Sequence, residues 1–249
     1  MRVRLRYARV GKVRWTSALD VARIWERALR RVGLPLAYTA GFSPRPKIAF
    51  GLALPTGHES TAEFVDLDLD DARVDASFSV ATLPFALSAA LPVGFDVTAA
   101  GLIEDREPSL QHQVSICRWE IEVPGVTDEG LAALISAALA SETLVVTRTR
   151  KGREVSDDIR PSIAHLAPLP AHAAQIAPTA SGALLEAELY TTLPGQPRSV
   201  RPIELLRGIS PELEPGLVRR THQWIERDGA RQEPLAAATD APHAQARAS

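Results

Sequence analysis

One cysteine, Cys117, stands in a chain of 249 residues. No internal disulfide can form, and no cysteine-based metal or iron–sulfur site can arise from this chain alone. Aromatic residues make up only 5% of the sequence, so each aromatic outside an apolar pattern is a candidate contact. No apolar run approaches the roughly 20 residues that span a bilayer. The first residues, Met1 to Arg14, alternate arginine with apolar side chains and lack the apolar core of a signal segment. The expected location is the cytoplasm, with no membrane partner. There is no glycine-rich phosphate cradle and no metal-ligand cluster. Asp66-x-Asp68-x-Asp70 fails as a calcium loop, because Asp71 stands where glycine is needed and Ser77 where the final glutamate should be. No cofactor is expected.

What is present is a separation of charge. Residues 1–50 carry 12 Lys/Arg and 2 Asp/Glu, whereas residues 51–107 carry 2 and 11. The net charge of −2 conceals this division. Two readings follow: a basic surface for a polyanion, or pairing of the two regions with each other. Arg2-Val3-Arg4-Leu5-Arg6-Tyr7 alternates strictly, putting three arginines on one strand face and Val3, Leu5 and Tyr7 on the core face. Like charges on one face repel unless an anion faces them, and the strand Asp66 to Asp70 is a candidate intramolecular partner.

Ser17 with Asp20 predicts a capped helix start, and Gly33 its end. Ala18, Ala22, Trp25, Leu29 and Val32 form the predicted buried stripe, with Arg23, Arg27, Arg30 and Arg31 on the opposite face. Gly41-Phe42-Ser43-Pro44-Arg45-Pro46-Lys47 follows, a loop stiffened by two prolines. It leads into a predicted strand from Lys47 to Leu54. Ile48, Phe50, Leu52 and Leu54 form its bulky core face, and Ala49, Gly51 and Ala53 a bare face open to close backbone approach. A turn at Pro55-Thr56-Gly57-His58, a strand from Thr61 to Leu69, a helix from Ser79 to Ala90 and a strand from Phe95 to Ile103 complete β-α-β-β-α-β.

The second half repeats the order. It reads as strand 114–123, helix 127–140, strand 144–150, a long returning strand 155–166, a mobile loop 167–181, strand 183–192, helix 200–207 and strand 217–225. The predicted class is α+β, two tandem ferredoxin-like halves at 1–106 and 112–227, with a disordered tail at 228–249.

Several motifs together resemble a bacterial family of radical-SAM-linked proteins, a domain of unknown function. They are Arg14-Trp15-Thr16-Ser17 leading to Asp20, Glu26-Arg27-Ala28-Leu29-Arg30-Arg31, the Gly41–Ile48 loop, and Pro55 to Glu63. In the second half they are Arg118-Trp119, Asp158-Ile159-Arg160 and Ser199-Val200-Arg201-Pro202. The resemblance runs from about Met1 to Glu226 and implies a free-standing copy, since the chain lacks the three-cysteine cluster motif. It departs at Ala18, where the family usually has histidine, and at Ser43 and Arg45, where some relatives do, which argues against catalysis. The layout also resembles, at the level of fold, the RAMP proteins that process CRISPR RNA, without their glycine-rich C-terminal loop.

The leading expectation is a non-catalytic RNA-binding module. Arg4, Arg6, Arg14, Arg45, Lys47, Arg150, Arg160 and Arg201 would contact phosphates. Ser17, Asp20, Gly41, Phe42, Pro44, Pro46, Gly57 and Glu63 would shape the motifs. Trp15 and Phe42 are candidate stacking residues, although residues in such places are expected in the core. The alternatives are an adaptor docking a radical-SAM or RNA-processing enzyme on the Ala49-Gly51-Ala53 face, and a metal-independent endonuclease using His58. The default for His58 is an exposed bystander, and for Cys117 a buried inert thiol.

Overall fold

β1 (Arg2–Arg9) forms because its alternation gives one wholly apolar face. In the computed structural model, which describes residues 1–104, 106–150, 152–176, 182–193 and 199–235, that strand is central. It pairs antiparallel with β3 (Glu59–Asp68) on one side and β4 (Phe95–Ile103) on the other. The register sets Val3 opposite Leu67 and Leu5 opposite Val65, which keeps the apolar sets on one side. Helices α1 (Ala18–Val32) and α2 (Leu83–Ala90) cover that side. Trp25 is fully buried there, edge-on to Tyr7 with ring centres 4.8 Å apart. Such a pair adds about 0.5–1.5 kcal/mol beyond its buried area.

The chain forms two compact units, Met1–Gln113 with Arg227–Ser249, and Val114–Glu226. The expected boundaries differ in two ways. The polar linker after Ile103 stays with the first unit and carries a short helix, α3 (Leu110–Gln113). The segment after Arg227 also belongs to the first unit. It forms β11 (Ala230–Gln232) and then lays Glu233 and Pro234 against Arg6 and Arg4. A disordered tail from 228 is therefore wrong as far as Leu235; the rest of that expectation falls outside the described residues.

In the first unit the sheet order is β4-β1-β3-β2, where β2 is only Ile48–Phe50. The strand expected to reach Leu54 ends early. Gly51 donates its N–H to Phe64 O at 2.9 Å, and a Cβ there would lie 3.2 Å from that same oxygen. The bare position thus admits the β3 backbone, after which the chain leaves the sheet. The buried stripe of α1 is Val21, Trp25, Ala28 and Leu29. Trp25 and Leu29 match expectation, whereas Ala18 is exposed and Val21 and Ala28 were missed, because the helix turns its core side about one residue further round. Ser17 caps it, accepting from Asp20 N–H at 3.2 Å, and Gly33 ends it at φ +75°.

In the second unit β5 (Ile116–Pro124) is central, and the order is β10-β5-β9-β8. Here β8 is Ile163–Pro168, β9 Gly182–Tyr190 and β10 Val218–Arg227. Helix α4 (Asp128–Ala140) is capped by Thr127, and α5 is Pro202–Ile209. The expected strands 144–150 and 155–166 are corrected. β6 (Val145–Arg150) and β7 (Arg153–Asp158) pair only with each other, as a separate hairpin. Asp158 closes it by accepting the N–H groups of Leu144 and Arg160. Pro161, which has no N–H to give a ladder, sits in a 3-10 turn, and β8 starts anew after it. The loop expected over 167–181 gives up its first residues to β8 and forms a 3-10 turn at Ala171–Ala173; 177–181 lie outside the described residues.

The molecule is thus mixed α+β, with mostly antiparallel sheet and five α-helices among the described residues. No helix among them is long and apolar enough to cross a membrane.

Candidate nucleic-acid interface

The strand arginines are committed internally. Arg4 is 2% exposed and binds Asp66 through two bonds, Nε to Oδ1 at 2.7 Å and Nη2 to Oδ2 at 3.0 Å. Arg2 donates to the same carboxylate at 2.9 Å. Arg6 is buried, 3.2 Å from Glu233. Burial pushes the Arg6 guanidinium below its ordinary value, only partly offset by Glu233, and burial raises the Glu233 carboxyl. Arg4 and Arg6 therefore cannot serve as the phosphate contacts expected of them. Pairing within the chain accounts for both: Arg4 with Asp66 of the acidic 51–107 region, as the alternative reading of the charge separation expected, and Arg6 with Glu233, outside that region.

A second group of motifs meets at one corner of the first unit. A 3-10 turn, Gly11–Trp15, packs on the Pro55–His58 turn. Gly57, at φ +90°, donates to Arg14 O at 2.8 Å, and a Cβ on it would stand 2.9 Å from the Trp15 ring. Only glycine meets both demands. The buried Glu59 carboxylate accepts from Gly11 N–H at 2.7 Å and Arg14 Nη1 at 3.3 Å. Arg9 caps the carbonyls of Val13, Arg14 and Thr16. The result holds Trp15 outward, 64% exposed, with the Arg14 guanidinium 5.4 Å from its ring centre. The core placement expected for Trp15 is wrong, because glycine rather than apolar side chains lies beneath it. Ser17 and Asp20 lie just beyond; the Ser17 hydroxyl is the main cause holding the Asp20 carboxyl below its ordinary range. They cap the helix, as expected. His58 closes its turn with a backbone bond to Pro55 O and is half-buried, against the exposed placement expected. Cys117 is buried, as expected.

The proline loop is a narrow hairpin. Thr39 N–H donates to Arg45 O at 2.9 Å, Arg45 N–H donates to Thr39 Oγ1 at 3.0 Å, and Tyr38 bridges Pro46. Gly41 (φ +124°) and Pro44 shape its tip, where Phe42 is completely exposed, again against the expectation of core. Arg45 and Lys47 are exposed and have no side-chain bond or ion pair among the described residues. The loop base joins the C-terminal end of α1 and the turn holding Arg73. A pocket of about 170 Å³ there is lined by Glu26, Arg30, Tyr38, Pro46 and Arg73 among others. Tyr38 and Arg73 escaped sequence reasoning. The signal available was Tyr38 standing across Gly41 from Pro46.

Glu63 is buried in β3 and lines a larger cleft of about 490 Å³ with Arg9 and residues 49–54. In the second unit, Arg160 donates to Leu139 O at 3.3 Å, and Arg201 precedes α5, its N–H bound by Glu204. Arg150 ends β6; its side chain lies outside the described set. Among the described residues no cluster of His, Cys, Asp or Glu is suited to a metal.

A mixed α+β protein with exposed aromatics, and with cations on the proline loop that are unpaired among the described residues, is what the geometry defines. The model of an uncharacterized protein family conserved in bacteria (DUF2344) matches residues 2–202, and the chain belongs to that family. No curated protein matches it.

Proposed function

We propose that this chain is a non-catalytic RNA-binding module, with the Tyr38–Lys47 hairpin as its principal contact. The observation that carries the reading is the exposure of Phe42 and Tyr38 on a loop whose Arg45 and Lys47 have no internal anion. Single-stranded nucleic acid is held by such pairing of stacking rings with free cations. Trp15 supplies a second exposed ring, beside the Arg14 guanidinium that also binds Glu59. Each unit is read as ferredoxin-like, because in both the first strand lies between the last and the third, with the second outside. The inserted β6–β7 hairpin distinguishes the second.

The link to radical-SAM proteins is proposed as a partnership, in which the partner brings the redox chemistry. A second reading, an adaptor for that partner, is favoured by the larger cleft, which the chain from Ala49 to Leu54 lines. Anisotropy of a labelled single-stranded RNA at two salt concentrations separates the two. The RNA reading requires binding that weakens with salt. In Arg45→Ala/Lys47→Ala the slope of log K against log salt falls by about 1.4, at roughly 0.7 per phosphate contact. Absence of binding at low salt overturns it.

A further inference from the structure

The pocket at the base of the hairpin has a composition that phosphate binding alone does not explain. Its cations, Arg30 and Arg73, suit an anion. Its carboxylate, Glu26, repels one. Glu26 and Arg30 lie one helical turn apart on α1, the spacing at which such side chains commonly pair, yet neither makes an ion pair or side-chain hydrogen bond among the described residues. Arg73 is exposed and likewise has no such partner among the described residues. Tyr38, half exposed, forms one wall. A pocket of about 170 Å³ holds one planar ring system and not a peptide segment.

A carboxylate only accepts hydrogen bonds, with two oxygens side by side. Its best match is a pair of adjacent N–H donors. Adenine and cytosine each present an amino group next to a ring acceptor, which repels the second oxygen. Uracil presents one N–H between two carbonyls. Guanine alone presents N1–H beside its amino group. An arginine or lysine from a protein would also suit Glu26 and Tyr38, but Arg30 and Arg73 oppose it.

We propose that this pocket takes one guanine of a single-stranded RNA. The base stacks on Tyr38, its N1–H and amino group donate to Glu26, and Arg30 and Arg73 meet the adjoining phosphates. This rests on the RNA-binding reading and adds base choice to it, in the way proteins read unstacked bases by their Watson–Crick edges.

The test uses the full chain and four labelled uridine octamers that differ only in one central base: G, A, C or U. The guanine octamer should bind about tenfold tighter than the others, the discrimination of a two-bond contact. Glu26→Gln should erase that preference, so that the four octamers bind alike. Tyr38→Ala should weaken the guanine octamer most. Circular dichroism reports folding of both variants, and either one suffices. Equal affinity for all four octamers, or a preference that survives Glu26→Gln, overturns the guanine assignment and leaves RNA binding standing. No binding of any octamer at low salt overturns RNA binding itself. Free guanosine monophosphate, with adenosine monophosphate as control, separates a base within a strand from a mononucleotide. Displacement only at concentrations far above the octamer Kd supports the strand, and displacement near that Kd overturns it.

Discussion

β1 and the proline hairpin are both rich in cations, yet they solve opposite problems. Arg2, Arg4 and Arg6 sit on a central strand, where neighbours on both sides remove them from water. A buried guanidinium needs a carboxylate, and Asp66 and Glu233 supply it. Arg45 and Lys47 hold their side chains out from an exposed loop, so water solvates them and no carboxylate among the described residues pairs with either. The same residue types are structural in one place and available in the other. What decides is whether the side chain is buried.

Asp66→Ala breaks the comparison most severely. It leaves Arg4 buried without its anion, and unfolding in urea should show a loss of about 3–5 kcal/mol. The double change Arg45→Ala/Lys47→Ala should alter that stability by no more than about 0.5 kcal/mol, while RNA affinity falls. Equal losses in the two experiments would erase the distinction. Phe42→Ala sharpens it on the loop side. Its ring buries nothing, so the melting temperature should hold, and RNA affinity should fall by about 1–3 kcal/mol per stacked base. A lowered melting temperature would mean the ring packs somewhere in the folded chain.

The smallest effect concerns a buried carboxyl held mainly by backbone N–H groups. Burial raises the Glu120 carboxyl, partly offset by the N–H groups of Ile176 and Gln175. The folded chain therefore holds this proton more tightly than the unfolded one. The resulting stability is full below the ordinary carboxylate value and is lost as pH rises through the raised one. Glu120→Gln keeps an accepting oxygen and removes the titration. Melting temperature against pH should flatten in that window, and an unchanged slope would refute the assignment.

Much of the fold was legible, since periodicity reports burial directly. The first six elements were read in their order, and β4 to the residue, because Gly94 and the polar stretch after Ile103 bracket it. The second unit was misread where Val155 to Leu166 looked continuous. Apolar pattern alone does not reveal that Pro161 breaks a ladder, nor that β6 and β7 pair apart from the main sheet. Of the candidate site, the proline loop and its cations were legible from two prolines and a glycine, whereas its hairpin pairing with Tyr38 was not. The partners of Arg4 and Arg6 lie 62 and 227 residues away in sequence, beyond any local pattern.

Composition and order alone determined that the chain carries no internal disulfide, that it mixes strands and helices, and that its cations crowd into the first fifty residues. Those follow from residue type and spacing, which are local. Only the tertiary structure decided which cations are spent and which rings face water. Trp15 stands outward because Gly57 lies under it, and Tyr38 joins Glu26, Arg30 and Arg73 because a hairpin folds against the end of a helix. Such neighbours are set by the closing of long loops, and no short stretch of sequence contains them.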